Sequence, residues 1–449
     1  MSTELVTDLA TIVGDTHVLV DPAAQQRFLR DFSWYSPVLS EAFLDNAPID
    51  AVVQPGSHAE LQAVVAAAVR RKVPITVRGA GTGNYGQSVP LYGGILLDMR
   101  RLNRIELVSD EAIEVDAGAI WEQVDAAARR HGRELRIMPT TYHIATVAGF
   151  LAGGSGGIGS VTYGRTWDGN FLSADVLTAE DPPQTMHLEG DLLRMVLHTY
   201  GTVGIVTRLR LPLLPAHTWQ GWYATFPSYD ACFDFGWDLA ADESVLKRLV
   251  SVHEAPIPSM FEPVKRLFSP TDCAALLLLE ESSVAAVSER AAAAGGTLRA
   301  WPPKPAITEF PFAHTVLWTK KFDPKSTWLQ TRFAMDRTGA LEQVHQLQAR
   351  FGKRVVNHIE FVRTPEGLSP SGLPSLFTSD PGEIDEVISF CGDIGVGVAN
   401  PHSYVVKEGG MVKDIASVVA FKQRTDPFGL LNPGKLDGTF YAGAPTHSA

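Results

Sequence analysis

The chain has 449 residues, of which 45% are hydrophobic and 20% charged, and its formal net charge is −12. This length predicts two or three domains, and the negative charge disfavours nucleic acids and anionic membranes as partners. The three cysteines, Cys232, Cys273 and Cys391, are far apart in the sequence, which argues against a disulfide framework or a structural zinc site. The sequence shows no signal peptide and no apolar run of membrane length, so it predicts a cytoplasmic protein.

The first predicted unit is a strand–helix–strand segment that ends in a glycine-rich loop. Residues 50–55 predict a short strand, and Ser57 with Glu60 three positions later predicts the capped start of a helix. A buried strand over 75–77 follows. The loop, VRGAGTGNYGQSVP (77–90), comes directly after that strand.

The glycine spacing in this loop matches the phosphate turn of nicotinamide-binding folds, but its surroundings do not. The spacing G-x-G-x-x-G is formed by Gly81, Gly83 and Gly86. A nicotinamide turn needs a helix directly after the glycines, whereas Pro90 and a predicted strand over 94–99 follow here. Successive glycines still allow several backbone N–H groups to form an anion-binding nest. The loop alone therefore leaves two interpretations open, a phosphate site or a plain turn.

Three later segments are also rich in glycine. Residues 139–164 hold seven glycines between Gly149 and Gly164. Residues 200–215 predict a strand that ends at Pro212, and residues 426–435 (DPFGLLNPGK) predict the end of a helix followed by turns. Because glycine destabilises helices and strands, such a density predicts a close approach of the backbone to a flat ligand.

In this order and spacing, the segments resemble the flavoprotein superfamily of vanillyl-alcohol oxidase and p-cresol methylhydroxylase. The matching stretches are P-x-S-x-x-E-L-x-x-V-V (55–65), V-R-G-A-G-T-G (77–83), G-Q-S-V-P (86–90), T-V-A-G-F-L-A-G-G-S-G-G-I-G-S-V-x-Y-G (146–164), G-T-V-G-I-V-T (201–207) and D-P-F-G-L-L-N-P-G-K (426–435). The resemblance implies an α+β fold with a two-part PCMH-type FAD-binding domain over 1–212. It implies a substrate (cap) domain with an antiparallel sheet and helices over 213–410, and a return to the FAD-binding domain over 411–449.

The resemblance implies FAD as the cofactor. Its adenine and pyrophosphate would lie under the loop 78–84, and its isoalloxazine along the second glycine cluster. The residues implied for cofactor binding are Arg78, Gly79, Ala80, Gly81, Thr82, Gly83, Asn84, Gln87, Ser88, Pro139, Thr140, Thr146, Gly149, Gly153, Gly156, Gly157, Ser160, Ile205, Val206, Asn432 and Lys435. A lysine beside the pyrimidine side of the ring, as implied for Lys435, would stabilise negative charge there.

Two departures from the family pattern concern the attachment of FAD. Relatives with covalent FAD use a histidine in R-G-x-G-H or a cysteine just before T-V-x-G. The matching positions here are Thr82 and Ile144, so we expect FAD to be bound non-covalently. His143 offers another attachment point, although a lone loop histidine more often serves as a hydrogen-bonded structural residue.

The cap matches the family least, so its site residues are inferred from strand alternation. Residues 310–322 predict a strand that carries Lys320, and residues 355–362 predict a second strand with His358 and Glu360 on one face. Such strands would present ionisable groups to the cofactor, and the alternative is a half-exposed sheet with these groups in solvent. The predicted catalytic residues are Lys320, His358, Glu360 and Tyr404.

Among these residues, a neutral His358 is the predicted base and Tyr404 the reserve. The neighbouring carboxylate should raise the pKa of His358 and burial should lower it. A base that works near pH 7 favours the histidine over Glu360.

The substrate class is narrowed by two further departures. Residues 395–402 align with G-W-G-E-Y-R-T-H of phenol oxidisers, but the tyrosine and arginine that hold a phenolate are Ala399 and Asn400 here. The absence of these two residues disfavours a para-phenol as the substrate. The metal motif H-x-G-D-G-N-x-H of the 2-hydroxy-acid branch is absent, and no spacing of the cap histidines supports a metal site, so we expect none.

These features predict an FAD-dependent oxidoreductase that removes hydride from an alcohol or a similar CH–OH donor. The first alternative is a 2-hydroxy-acid dehydrogenase of the glycolate oxidase and D-lactate dehydrogenase type. The second is a flavin-binding protein without catalysis. The expected partners are a small-molecule substrate and an electron acceptor, either oxygen or a carrier, and a homodimer is left open.

Overall fold

A computed structural model of the chain describes residues 1–42 and 48–439. This part of the chain forms four β-sheets and fourteen α-helices. The helices are α1 (Thr3–Val13), α2 (Pro22–Gln25), α3 (Pro37–Ala42), α4 (His58–Arg70), α5 (Trp121–Arg129), α6 (Val147–Gly153), α7 (Ser160–Tyr163), α8 (Tyr229–Ala241), α9 (Val284–Ala293), α10 (Ala313–Phe322), α11 (Arg337–Phe351), α12 (Pro381–Asp393), α13 (Val406–Gly409) and α14 (Ile415–Thr425).

The first sheet is small and mostly parallel. It has the strand order β1-β2-β4-β3, with β1 (Val18–Leu19), β2 (Ala51–Val53), β3 (Ile75–Arg78) and β4 (Ile95–Asp98). The predicted helix between β2 and β3 is α4, which is capped as expected: Ser57 Oγ accepts from the Glu60 N–H at 3.1 Å. The strand–helix–strand prediction is therefore confirmed. Residues 81–94 contain no helix, which agrees with the rejection of a nicotinamide turn.

The second sheet is antiparallel and has six strands. Its main order is β5-β6-β10-β8-β9, with β7 beside β10; the strands are β5 (Ile105–Ser109), β6 (Ala112–Asp116), β7 (Arg133–Leu135), β8 (Ser173–Leu177), β9 (Thr185–Glu189) and β10 (Ile205–Pro215). The predicted end of β10 at Pro212 is wrong, because the strand continues to Pro215. Residues 213–215 pair with β7, a partner that local sequence does not reveal.

The third sheet is the large antiparallel sheet predicted for the cap. Its order is β14-β11-β13-β12-β18-β19-β16-β21, with β11 (Trp219–Phe226), β12 (Lys247–His253), β13 (Cys273–Glu280), β14 (Thr297–Ala300), β16 (Gln330–Arg332), β18 (His358–Thr364), β19 (Gly367–Gly372) and β21 (Gly397–Ala399). Alternation divides its side chains between two cores. Leu277 and Phe361 pack with residues of α8 and α11, whereas Leu276 and Leu278 join the core that contains the second sheet.

Residues 310–322, predicted as a strand, instead contain α10. The buried side chains of this helix are Thr315, Val316, Thr319 and Lys320, a spacing of three and four residues that belongs to a helix. The strand prediction used the alternation of every second residue and missed the helical spacing of the buried side chains. A fourth, three-stranded sheet follows, with the order β15-β20-β17 and the strands β15 (Thr327–Trp328), β17 (Val355–Val356) and β20 (Ser375–Leu376).

The C-terminal segment returns to the first sheet. After α14 ends at Thr425, the Ile75 N–H donates to Leu430 O at 2.8 Å, and the Asn432 N–H donates to Ile75 O at 2.7 Å. The α+β class and the antiparallel cap sheet are thus confirmed. We retain 1–212, 213–410 and 411–449 as proposed domain bounds.

No helix in the described ranges 1–42 and 48–439 is long and apolar enough to cross a membrane.

Candidate active site

A cavity of about 290 Å³ lies between the two glycine-rich segments and the cap sheet. Its walls come from the loop after β3, from α6 with its flanking residues, and from β16, β18 and β19. A space of this size takes an organic ligand rather than a single water or ion. The cavity is therefore the candidate site for both cofactor and substrate.

The first glycine loop presents backbone rather than side chains to this cavity. Among the described residues, the N–H groups of residues 79–84 donate no hydrogen bond to the protein. A Cβ on Gly79 would overlap Thr146 Oγ1, and one on Gly83 would come within 2.5 Å of the Gln87 side-chain amide. The loop therefore needs glycine to lie this close to the second cluster, and its amide groups are available to an anionic ligand.

Most of the residues predicted for the cofactor line this cavity. They are Gly79, Ala80, Gly81, Thr82, Gly83, Asn84, Gln87, Ser88, Pro139, Thr140, Thr146, Gly149, Gly153, Gly156 and Val206. Thr146 also caps α6, because its Oγ1 accepts from the Gly149 N–H at 3.3 Å. Backbone donors without protein partners suit a pyrophosphate, and a wall of glycines admits a flat ring, so these residues fit FAD.

The other predicted cofactor residues lie outside the cavity lining. They are Arg78, Gly157, Ser160, Ile205, Asn432 and Lys435. The Arg78 guanidinium donates to Phe28 O at 3.3 Å, to Arg30 O at 2.7 Å and to Ser88 Oγ at 3.2 Å. The Gly157 N–H donates to Ser160 Oγ at 2.9 Å. These groups satisfy the protein's own polar atoms and hold the cavity walls in place.

The two predicted residues of the C-terminal segment brace the first glycine loop from behind. Asn432 Nδ2 donates to Gln87 O and to Tyr200 O, both at 2.8 Å. Lys435 is fully buried, and its Nζ donates to the carbonyls of Gly86 and Val89. Burial lowers the pKa of Lys435 to about 7. The structure therefore places Lys435 under the loop and outside the cavity lining, and its implied role beside the pyrimidine side of the ring stays a prediction.

The cap wall of the cavity is a row of polar side chains that crosses four neighbouring strands. The strand register sets Ser251 of β12 opposite Glu360 of β18, Glu360 opposite Ser371 of β19, and Ser371 opposite Arg332 of β16. Side chains at paired positions share one face of a sheet. Glu360, Ser371 and Arg332 all line the cavity.

Glu360 is the carboxyl group of this wall. Its Oε1 accepts from His358 Nε2 at 2.7 Å, from Ser251 Oγ at 2.8 Å and from the Phe312 N–H at 2.7 Å. Its Oε2 has no hydrogen bond within the described part of the chain. Burial raises the pKa of Glu360 to about 8, although the Phe312 and Ser251 donors oppose this rise. The group can therefore exchange a proton near neutral pH.

His358 lies behind Glu360, outside the cavity lining. Its ring stacks on that of His253, with centroids 4.3 Å apart and an interplanar angle of 10°. Burial lowers the pKa of His358 to about 3. Of the two opposing effects expected for this pKa, burial prevails, because the loss of hydration disfavours the charged ring. His358 is neutral, as expected, but it holds Glu360 rather than facing a ligand.

Phe312 is a site residue that the sequence did not reveal. It adopts a φ of 53°, which is rare for a residue with a side chain. This conformation precedes α10 and directs the backbone N–H to Glu360. Phenylalanine gives no sequence signal for such a turn, so only the structure identifies it.

Arg165 is the second residue missed from sequence. Its Nη2 donates to Ser371 Oγ at 2.9 Å, and its guanidinium lies 5.7 Å from the centre of the Trp167 ring. It lines the cavity and makes no salt bridge with any described residue. Burial lowers its pKa and the charge of Arg332 lowers it further, whereas the carboxylates of Asp168 and Glu366 oppose this change. Its position directly after the second glycine cluster was the available signal.

Two predicted catalytic residues lie elsewhere. Lys320 is on α10, and its Nζ donates to Pro324 O at 2.9 Å and to Ser326 O at 3.1 Å. Tyr404 packs against a small cluster that includes Val89 and Leu91. Neither residue is part of the cavity lining. Of the four predicted catalytic residues, the structure brings His358 and Glu360 together and places Lys320 and Tyr404 apart from them.

Comparisons with known proteins bear on the cofactor and the fold. Residues 49–181 match a family described as FAD binding domain. The chain is 29% identical to the D-lactate dehydrogenase of Archaeoglobus fulgidus over 174 residues. This matched region covers 36% of this chain and 38% of the relative. It is 27% identical to the glycolate oxidase subunit GlcD of Bacillus subtilis over 236 residues. That matched region covers 51% of this chain and 50% of the relative. A solved structure of alkyldihydroxyacetonephosphate synthase superposes with a TM-score of 0.75 at 16% identity, over 96% of this chain and 85% of the other.

These findings confirm the prediction of FAD, because the matched family covers the first glycine loop and the second glycine cluster. The structural likeness shows that 96% of the chain, cap included, has the fold of that synthase. The chain spans no more than half the length of either of these two curated relatives.

Proposed function

We propose that this chain, whose residues 49–181 match an FAD binding domain, is an oxidoreductase that oxidises a 2-hydroxy acid to a 2-oxo acid. The proposal therefore favours the 2-hydroxy-acid dehydrogenase, which was the first alternative in the sequence analysis, over an enzyme that oxidises a neutral alcohol. One observation carries it: the cavity lining includes a carboxyl group, Glu360, and a guanidinium that forms no salt bridge with a described residue, Arg165; Glu360 pairs with Ser371 across the strands, and Arg165 is hydrogen-bonded to it. Relatives named D-lactate dehydrogenase and glycolate oxidase support the same substrate class.

In this proposal, Arg165 binds the carboxylate of the substrate. A guanidinium offers paired N–H donors that match a carboxylate, and the bond to Ser371 Oγ fixes its position. The partly buried setting strengthens the attraction relative to an exposed pair. Binding at this point orients the neighbouring carbon, which bears the hydroxyl group, toward Glu360.

Glu360 then accepts the hydroxyl proton. The hydrogen bonds from His358, Ser251 and the Phe312 N–H hold its Oε1 and leave Oε2 for the substrate. The ionised form is the base, so the fraction of active protein increases as the pH rises through the pKa of about 8. Bound FAD supplies the acceptor for the hydride that leaves the same carbon.

An anaerobic comparison of matched substrates tests this function. The yellow holoprotein is mixed with lactate, 2-hydroxybutyrate or glycolate, and in parallel with propane-1,2-diol, butane-1,2-diol or ethane-1,2-diol. At least one hydroxy acid should bleach the flavin about 10- to 100-fold more efficiently than its diol. Bleaching by diols alone would restore the alcohol hypothesis, and bleaching by none of the panel would contradict the proposal. Admission of air or of an artificial carrier after bleaching then identifies the electron acceptor.

We further propose that FAD is held non-covalently. Thr82 lines the cavity but offers no ring nitrogen or thiol for a flavin bond. Ile144 and His143 lie outside the lining, and His143 Nδ1 is bonded to Glu122 Oε1 at 2.8 Å. Acid precipitation should leave the yellow colour in the supernatant, and colour retained in the pellet would refute this attachment.

A further inference from the structure

The cavity contains a second guanidinium, that of Arg332, at the end of the polar row. Arg332 lies on β16, lines the cavity and is exposed to solvent. It forms no salt bridge with any residue of the ranges 1–42 and 48–439. A cation that faces a cavity without an acidic partner is a candidate for a negatively charged ligand group.

The two arginines have different neighbours, although the charge of Arg332 acts on Arg165. Arg165 is bonded to Ser371 on β19, whereas the side chain of Arg332 lies over Gly397 on β21, the strand on the other side of β16. Its Nη2 is 3.7 Å from the position that a Cβ on Gly397 would take. The guanidinium of Arg332 therefore leans away from Ser371, which favours two separate anion sites over one carboxylate shared by both cations.

The strand register gives the order of the groups along the wall. Glu360, Ser371 and Arg332 occupy three adjacent strands, so the base and the second cation are about 10 Å apart at their backbones. Arg165 meets the row at the middle strand. A ligand whose carboxylate is bound there, with its hydroxyl toward Glu360, can extend its remaining atoms toward Arg332.

A third cation adds to the positive charge at this end. Lys413 is exposed, and its Nζ donates to Gly410 O, which belongs to the cavity lining, at 3.2 Å. Burial lowers the pKa of Lys413, and the charge of Arg332 lowers it further. The positive charge is local, since the whole chain carries a net charge of −12.

We propose that the substrate is a 2-hydroxy acid with a second anionic group, a carboxylate or a phosphate, and that Arg332 binds this second group. The inference rests on the proposed function for the position of the first carboxylate. Arg165 and Glu360 orient the reacting carbon, and Arg332 selects the substrate by its distal charge. Lys413, which is bonded to the lining residue Gly410, increases the attraction for that charge.

Matched substrates test the distal charge in the wild-type holoprotein. One pair is 2-hydroxyglutarate and the analogue in which the distal carboxylate is an amide; the other is 3-phosphoglycerate and glycerate. The rate constant for flavin bleaching divided by the half-saturation concentration should favour the dianion about 10- to 100-fold in at least one pair. The pair that responds distinguishes a distal carboxylate from a phosphate. Equal bleaching efficiencies for the two members of each pair would overturn the inference.

A variant pair links the preference to Arg332. Arg332→Gln should lower the bleaching efficiency, the rate constant divided by the half-saturation concentration, about 10- to 100-fold for the preferred substrate. For the partner that lacks the distal charge, the efficiency should change by less than about 3-fold. Arg299→Gln is the matched control, because it removes the same charge from an exposed arginine of β14, at the opposite edge of the same sheet. An equal loss for both substrates in Arg332→Gln would contradict a role in selection.

Binding of an unreactive dianion separates this inference from the proposed function. Glutarate and its monoamide, glutaramate, lack the hydroxyl group, and their affinities for the oxidised holoprotein can be measured by calorimetry. If no hydroxy acid bleaches the flavin, the proposed function fails. The second anion site still stands if glutarate binds at least 10-fold more tightly than glutaramate and Arg332→Gln removes the difference. Equal affinities would overturn the site regardless of the reaction.

Discussion

The two walls of the cavity are built in different ways. The wall formed by residues 79–84 and by α6 consists largely of backbone: the amide groups of 79–84 have no acceptor among the described residues, and its glycines admit no side chain. The wall formed by β18, β19 and β16 consists of side chains, which alternate so that Glu360, Ser371 and Arg332 share one face. The first wall is selective through shape, and the second through charge and proton affinity.

This difference predicts different responses to substitution. An added side chain in the backbone wall fills the space that the cofactor needs and strains the loop. A changed side chain in the cap wall leaves that space unaltered and removes one chemical function. Cofactor occupancy and reaction rate should therefore respond separately to changes in the two walls.

The largest effect is expected for Gly81→Val in the backbone wall. Gly81 has a φ of 70°, and a Cβ there would overlap the Arg78 guanidinium. A β-branched residue both strains this conformation and displaces the loop. The purified variant should contain almost no FAD, measured as the ratio of absorbance at the flavin band to that of the protein.

Gly132→Val is the matched control for backbone strain. Gly132 has a φ of 68°, but no neighbouring atom of the described residues lies within 4 Å of a Cβ added there, and it is not part of the cavity lining. This variant should lose stability and keep its FAD. Normal flavin content in Gly81→Val would show that the loop has been assigned wrongly.

The next largest effect is expected for Glu360→Gln in the cap wall. The amide cannot accept the substrate proton, so the anaerobic rate of flavin bleaching should fall about 10²–10⁴-fold while FAD stays bound. His358→Gln should cost less, about 10-fold, because His358 holds the carboxylate without lining the cavity. A larger loss in the histidine variant than in Glu360→Gln would return the base to His358.

The pH dependence should show a smaller effect with a defined direction. The pKa of Glu360 is raised to about 8 and its ionised form is the base, so the bleaching rate should increase about 10-fold per pH unit below this value and level off above it. His358 has a pKa lowered to about 3 and does not titrate in this range. The rise should disappear in Glu360→Gln, and its persistence there would assign it to another group.

The smallest effect on the reaction is expected for Lys320→Met. Its ammonium group bonds two carbonyls, those of Pro324 and Ser326, away from the cavity. Loss of these two hydrogen bonds should lower the free energy of unfolding by about 1–3 kcal/mol, measured by denaturant titration. The bleaching rate should stay within about 2-fold of wild type. A loss of 100-fold would restore Lys320 to the site.

The backbone wall could be predicted from the sequence because its chemistry is local. Gly79, Gly81 and Gly83 are contiguous, and their conformational freedom is a property of the residues themselves. The cap wall could be predicted only in part. His358 and Glu360 are two positions apart on one strand, so alternation placed them together.

Other parts of the cap wall depend on contacts that are distant in sequence. Arg165 follows the second glycine cluster but meets Ser371, more than two hundred residues later, through the packing of α7 on β18. Phe312 contributes a backbone N–H through a rare φ that its residue type does not favour. Lys320 was misplaced because the spacing of α10 also satisfies a strand pattern over a few residues.

The central claim is that Arg165 binds the carboxylate of a 2-hydroxy acid, and the selectivity of Arg165→Gln tests it most directly. The measurement is the single-turnover bleaching efficiency for 2-hydroxybutyrate divided by that for butane-1,2-diol, in wild-type and variant holoprotein with equal FAD content. Loss of a charge-assisted bond to the carboxylate should lower this ratio about 10- to 100-fold, through the hydroxy acid alone. A ratio that stays at the wild-type value in Arg165→Gln would contradict the claim.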